Sequence, residues 1–166
     1  MKVLVTAASR HGSTTDIAVA IVRELRLRGL DAEHLEPSEV DDVSAYDAIV
    51  LGSAVYAGRW MGSATDFITR CRPSLAGRPV WLFSSGPVGT PANPADAPSV
   101  SKLMEETGAL GHQVFAGKLD RAELGRLERT MIRAVRAPEG DYRNWDEITR
   151  WAAHIANGLL AVQPTR

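Results

Sequence analysis

The chain carries a single cysteine, Cys71, so it can form no internal disulfide and gives no sign of an oxidising compartment. Charge of one sign is also missing. Nineteen Lys and Arg residues stand against 20 Asp and Glu, for a formal net charge of −1. That balance creates no global field to gather nucleic acid or acidic ligands, and nucleic acid is not expected as a partner. No apolar run approaches the length of a membrane span. The short apolar run after Met1 and Lys2 is too brief for a signal h-region. The expectation is a cytoplasmic protein, with peripheral contact on the inner membrane face left open. The four histidines, His11, His34, His112 and His154, are scattered and form no metal spacing. His112 and His154 read as structural or surface residues. There is no repeat and no low-complexity tract.

What is present suits one α/β domain over residues 1–166, long enough to bury a core without staples. Val3-Leu4-Val5, Ala48-Ile49-Val50-Leu51-Gly52 and Val80-Trp81-Leu82-Phe83 are short continuous apolar runs, as expected of strands buried on both faces. Residues 32–36 read as a polar edge strand, and Val114-Phe115-Ala116 as the last strand. Ile17, Ile21 and Leu25 mark a helix face, with Ser13 or Thr14 as its cap and Gly29 at its end. Ala64, Phe67, Ile68 and Cys71 mark another, with Ser63 or Asp66 as cap and Pro73 as its stop. Residues 37–46 have room for a short helix, and residues 101–109 read as one. Asn144 and Glu147 form a cap-like pair for a final helix expected to bury Trp145, Ile148, Trp151, Ala152, Ile155 and Leu159. Strands separated by helices imply parallel pairing with right-handed crossovers. The expected fold is a doubly wound five-stranded parallel sheet of order 2-1-3-4-5, which binds ligands beyond the strand carboxyl ends where the order reverses.

Three loops meet at that place. The first is Ser9-Arg10-His11-Gly12-Ser13-Thr14. A helix start presents unpaired N–H groups and partial positive charge, Gly12 permits close backbone approach, and the hydroxyls add donors. This composition suits a phosphate monoester as well as an ordinary helix start. It is not a Walker loop, because the Gly-Lys-Ser/Thr ending is absent, and it lacks the spaced glycines of a dinucleotide fingerprint. A response-regulator receiver needs acidic residues after its first strand, and Thr6-Ala7-Ala8-Ser9 stands there instead. The second loop, Ser53-Ala54-Val55-Tyr56-Ala57-Gly58-Arg59-Trp60, puts two aromatics at a strand's end. Either a flat ring stacks on them, or they pack on the neighbouring helix. The third, Ser84-Ser85-Gly86-Pro87-Val88-Gly89, has glycines that let N–H groups turn toward a ring edge. It opens a proline-rich stretch, residues 86–99, of a length usually tied to function or motion.

Residues 121–136 carry two faces. Leu124, Leu127, Met131, Ile132 and Val135 mark an apolar one, and Arg126, Arg129, Arg133 and Arg136 a basic one. Such a helix can pack on the sheet, or lie on an anionic membrane surface or a partner.

With these residues in view, the chain resembles the flavodoxin superfamily. The first loop matches its pattern at Ser9, Gly12, Thr14, Ile17 and Ala18, while His11 stands where a hydroxyl residue is usual. Within the superfamily it is most similar to the menaquinone-dependent protoporphyrinogen IX dehydrogenase group. That similarity is carried by residues 9–14, 46–58 and 115–119 and by Asn144-Trp145-Asp146-Glu147. The resemblance implies FMN as cofactor, with its phosphate on residues 9–14 and its ring between the second and third loops. On that carry-over Tyr56 stacks on the ring, and Ser84, Ser85 and Gly86 line its polar edge. The flavin would perform the chemistry, and no catalytic side chain and no metal is required. Three readings stay open: an FMN-dependent oxidoreductase linked to quinone, an electron carrier serving a redox partner protein, and a non-redox domain that has lost flavin. A homodimer is compatible with all three.

Overall fold

A computed structural model describes residues 1–56, 58–86, 100–119 and 139–161. The basic amphipathic helix expected at 121–136, most of the proline-rich loop, and Ala57, Pro87 and Gly89 lie outside the described residues.

The elements run β1 (Lys2–Ala8), α1 (Ser13–Leu27), β2 (Asp31–Leu35), a 3-10 turn (Pro37–Glu39), β3 (Ala48–Tyr56), β4 (Arg59–Trp60), α2 (Gly62–Leu75), β5 (Val80–Ser85), α3 (Ser101–Thr107), β6 (Gly111–Phe115), β7 (Lys118–Leu119), β8 (Gly140–Asp141) and α4 (Trp145–Ala161). Five parallel strands form a sheet in the order β2-β1-β3-β5-β6, with β4 antiparallel on the end of β3. Setting the short β4 aside, this is the expected 2-1-3-4-5 arrangement.

The apolar runs form inner strands because both sheet faces are covered. Val3, Val5 and Ala7 of β1, with Val50 and Phe83, face α1 (Ile17, Ile21, Leu25) and α4 (Ile148, Ala152, Ile155). Leu4, Ile49, Leu51 and Leu82 face α2 (Ala64, Phe67, Ile68, Cys71). Alternate residues of one strand therefore feed two separate cores. On the α4 side Trp151 meets Phe83 and Phe115 edge to face and the two phenyl rings are tilted on each other, with ring centroids 5.6 to 6.0 Å apart. Gly52 leaves room for the Phe83 ring, since a Cβ there would stand 2.1 Å from its Cζ.

Several local expectations are corrected. Helix α1 begins after Gly12, which sits at φ +78°, and neither Ser13 nor Thr14 caps it. The left-handed backbone that starts the helix favours glycine at that position. Helix α2 begins after Met61, whose carbonyl takes the first N–H groups, so Ser63 and Asp66 are not caps. Pro73 lies inside α2, which runs on to Leu75. Near a helix end a proline forfeits one N–H and keeps a helical φ, so it delays the stop instead of imposing it. Residues 37–46 hold a 3-10 turn closed by reciprocal Glu36 and Glu39 bonds. The last sheet strand starts at Gly111, earlier than its apolar residues suggest, because an edge strand tolerates His112 and Gln113. Asn144 does cap α4, accepting the Glu147 N–H at 3.1 Å. Trp145 is not buried but 41% exposed, beneath the Arg143 guanidinium.

Candidate functional site

The carboxyl ends of β1, β3 and β5 open to one end of the sheet, and the loops that leave them are joined by specific contacts. At the first loop, Gly12 ends the turn and the N–H groups of the first turn of α1 begin. The Ser9 hydroxyl accepts the Thr14 N–H at 3.3 Å. The Ser13 hydroxyl accepts the Lys118 N–H at 3.3 Å, bringing β7 against the helix start. Arg10 and Gly12 are exposed, His11 is half-buried and Thr14 is buried.

Arg143 stands behind this helix start. Its side chain is only 6% exposed. It donates to the Ser13 carbonyl at 3.2 Å and to Asp16 at 2.9 Å, and forks onto both oxygens of Asp141 at 2.8 and 2.6 Å. The hydrogen bonds that Arg143 donates hold the Asp141 carboxyl below its usual range, and its bonds to Asp141 and Asp16 raise the guanidinium. Neither Arg143 nor Lys118 was among the site residues expected from the sequence, although Lys118 lies in the 115–119 segment that carries the resemblance. Lys118 opens the two-residue β7 and acts through its backbone N–H, and Arg143 follows the two-residue β8, so no periodicity marks either.

At the second loop, Tyr56 ends β3 and is 39% exposed. It pairs with Arg59, and Gly58 before Arg59 sits at φ +70°. The Arg10 guanidinium lies 5.9 Å from the Tyr56 ring centroid, which joins the first loop to the second. Ser53 and Ala54 are buried. The Ser53 hydroxyl donates to the Ala54 carbonyl at 2.8 Å and accepts the Met61 N–H at 2.9 Å, so it ties the hairpin's root. Trp60 turns inward and is buried, and its indole Nε1 donates to the Ser84 hydroxyl at 2.8 Å. The two aromatics of this loop thus divide, with Tyr56 outward and Trp60 in the α2-side core.

At the third loop, Ser84 and Ser85 are buried strand residues, not loop residues. Ser84 is shared between Trp60 and the His112 Nε2, which lies 2.8 Å away. Burial lowers the His112 imidazole below its usual 6.5. Gly86 adopts φ +102°, and its N–H donates to the Phe115 carbonyl at 3.0 Å. Gly117 comes so close that an added Cβ would touch the Gly86 backbone at 3.5 Å. The described parts of the first two loops therefore meet at a mouth beyond the strand ends, with Arg10 and Gly12 exposed on one and Tyr56 exposed on the other. The hydroxyls of Ser53 and Ser84 are directed into the protein. Among the described residues no group of His, Cys, Asp and Glu could hold a metal, and no helix is long and apolar enough to cross a membrane.

A family model described as a flavodoxin domain matches residues 4–146. Protoporphyrinogen IX dehydrogenase (quinone) of Escherichia coli K12 is 22% identical over 189 aligned positions, covering 99% of both chains. Among solved structures, a flavodoxin from the domain Archaea aligns with a TM-score of 0.67 at 19% identity, over 96% of this chain and 99% of that one. Oxidised flavodoxin 1 from Bacillus cereus aligns at 0.65 and 18%, over 95% and 98%. With its sheet order, the mouth at its strand ends and a family match along most of its length, the chain belongs to the flavodoxin domain family.

Proposed function

We propose that this protein binds FMN at the mouth formed by residues 9–14, 53–58 and 84–89 and works as an FMN-dependent oxidoreductase in electron transfer. One observation carries the reading. At the strand ends of a doubly wound sheet, where such folds take their ligands, the exposed Gly12 that starts α1 and the exposed Tyr56 are brought together by Arg10, whose guanidinium lies 5.9 Å from the Tyr56 ring. The residues fit the cofactor at both ends. The first-turn N–H groups of α1 other than that of Thr14, which Ser9 holds, and the dipole of α1 suit a phosphate monoester, and the tyrosine suits a flat ring.

FMN would supply the electron-accepting and electron-donating chemistry. The protein's part is binding, orientation and local charge. Gly12 keeps the backbone open to the phosphate. Arg143 holds the start of α1 from behind by gripping Ser13 and Asp16. Arg10 brings positive charge to the Tyr56 face. A cation near the ring, with no carboxylate in residues 84–89, favours the more negative reduced flavin.

The finer reading is a quinone-linked dehydrogenase that acts on a porphyrinogen, supported by the full-length similarity to the E. coli enzyme. An electron carrier for a protein partner is the second reading, though a net charge of −1 gives it little electrostatic steering. The first test is colour. A yellow purified protein with oxidised-flavin absorbance, or a colourless one that takes up FMN, supports both readings. A protein that ignores added FMN removes both and leaves a domain without flavin. Anaerobic reduction followed by reoxidation with quinones then separates enzyme from carrier.

A further inference from the structure

The bonds from Trp60 to Ser84 and from Ser84 to His112 cross from the outer edge of the sheet to the hairpin that carries Tyr56. Their polarity follows from chemistry. An indole N–H can only donate, so the Ser84 oxygen accepts from Trp60. The hydroxyl keeps one proton, and the His112 Nε2 is the remaining partner at 2.8 Å. If Nε2 carried a proton instead, both neighbours would donate to Ser84. Its own O–H, at 0% exposure, would then have no acceptor among the described residues. The arrangement selects the tautomer with its proton on Nδ1 and Nε2 as acceptor. Trp60 in turn pairs with Val55, one residue before Tyr56. The hairpin is short, and a second hydrogen bond, to the Ser53 hydroxyl, ties its root.

We propose that His112 is a positioning residue: through Ser84 it fixes Trp60, and so sets the hairpin that presents Tyr56. The consequence for ligand affinity rests on the FMN reading above, but the positioning itself does not.

The experiment uses the whole chain and compares His112→Gln, His112→Leu and Ser84→Ala with the wild type. The Gln amide can place its oxygen near the Nε2 position, while Leu keeps bulk and offers no acceptor. The first readout is the Trp60 indole N–H resonance in protein labelled at tryptophan, assigned by loss of the signal in Trp60→Phe. The expected result is a shifted, faster-exchanging signal in His112→Leu and Ser84→Ala, and a near wild-type signal in His112→Gln. The second readout is FMN affinity, expected to fall about tenfold in His112→Leu and to recover in His112→Gln. In a Tyr56→Ala background the same His112→Leu change should cost almost nothing further, because its effect passes through Tyr56. An unmoved indole signal in both His112→Leu and Ser84→Ala overturns the proposal. So does an equal affinity loss with and without Tyr56. If the wild type takes up no FMN, the functional reading falls and the indole signal alone decides on positioning. A shift restored by Gln then upholds it, and an unmoved signal overturns it.

Discussion

Gly52 and Phe83 are cross-strand partners, and a methyl group on Gly52 would enter the aromatic ring. Phe83 is fully buried against Phe115 and Trp151, so it has little room to yield. Gly52→Ala should therefore destabilise the fold by about 1–3 kcal/mol, lowering Tm by roughly 3–8 °C in a thermal melt. His112 gives a pH signature. Its folded pKa is lowered below 6.5, so the unfolded chain binds the proton more readily. Its contribution to stability is present above pH 6.5 and is lost as pH falls from there through the folded value. Urea midpoints across that window should decline on acidification in the wild type and decline less in His112→Gln. A parallel decline in both proteins removes His112 as the source. The burial of Ser53 and Ser84 was not legible in the sequence. Which hydroxyls enter the mouth depends on where each strand ends, and Ser84 reads as the first residue of a loop while the sheet still holds it.

Among the elements, β1, β3 and β5 were legible because burial on both faces leaves unbroken apolar runs. The exposed side of β6 blurred its start, and β4, β7 and β8 are too short for any periodicity to reveal. The loops of the mouth were legible because each follows a buried strand. The clasp behind them was not, because it joins residues 127 and 130 positions apart. In that clasp Arg143 joins β8 to the first turn of α1 from a nearly buried position, while Asp141 and Asp16 remain largely in water. Replacing it with Met keeps the bulk and removes its bonds to the Ser13 carbonyl, Asp16 and Asp141. Arg143→Met should cost about 1–2 kcal/mol in denaturant unfolding. It should also speed hydrogen exchange in β8 and the first turn of α1 while β1 and β3 keep wild-type protection. Arg143→Lys should recover only part of that cost, because an ammonium cannot fork onto Asp141. Asn144→Ala, which removes the cap of α4, should cost about 1 kcal/mol by the same measurement.

For the molecule as a whole, near-neutral charge makes a kinetic prediction. Electron exchange with a protein partner should change less than about tenfold between low and high salt in stopped-flow traces, because little net field remains to be screened. A steep salt dependence would point to a local charged patch acting in place of net charge. The strand order also shapes how the chain is assembled. Once β1, α1 and β2 have emerged from the ribosome, β3, β5 and β6 each add to the same growing edge, so no later strand has to insert between earlier ones. The apolar face that carries Val3, Val5 and Phe83, however, is only partly covered by α1 and is completed by α4, the last of these elements to be synthesised. A nascent chain arrested before residue 145 should therefore be a chaperone client, holding a paired sheet with one greasy side left partly bare beside α1 until the final helix arrives.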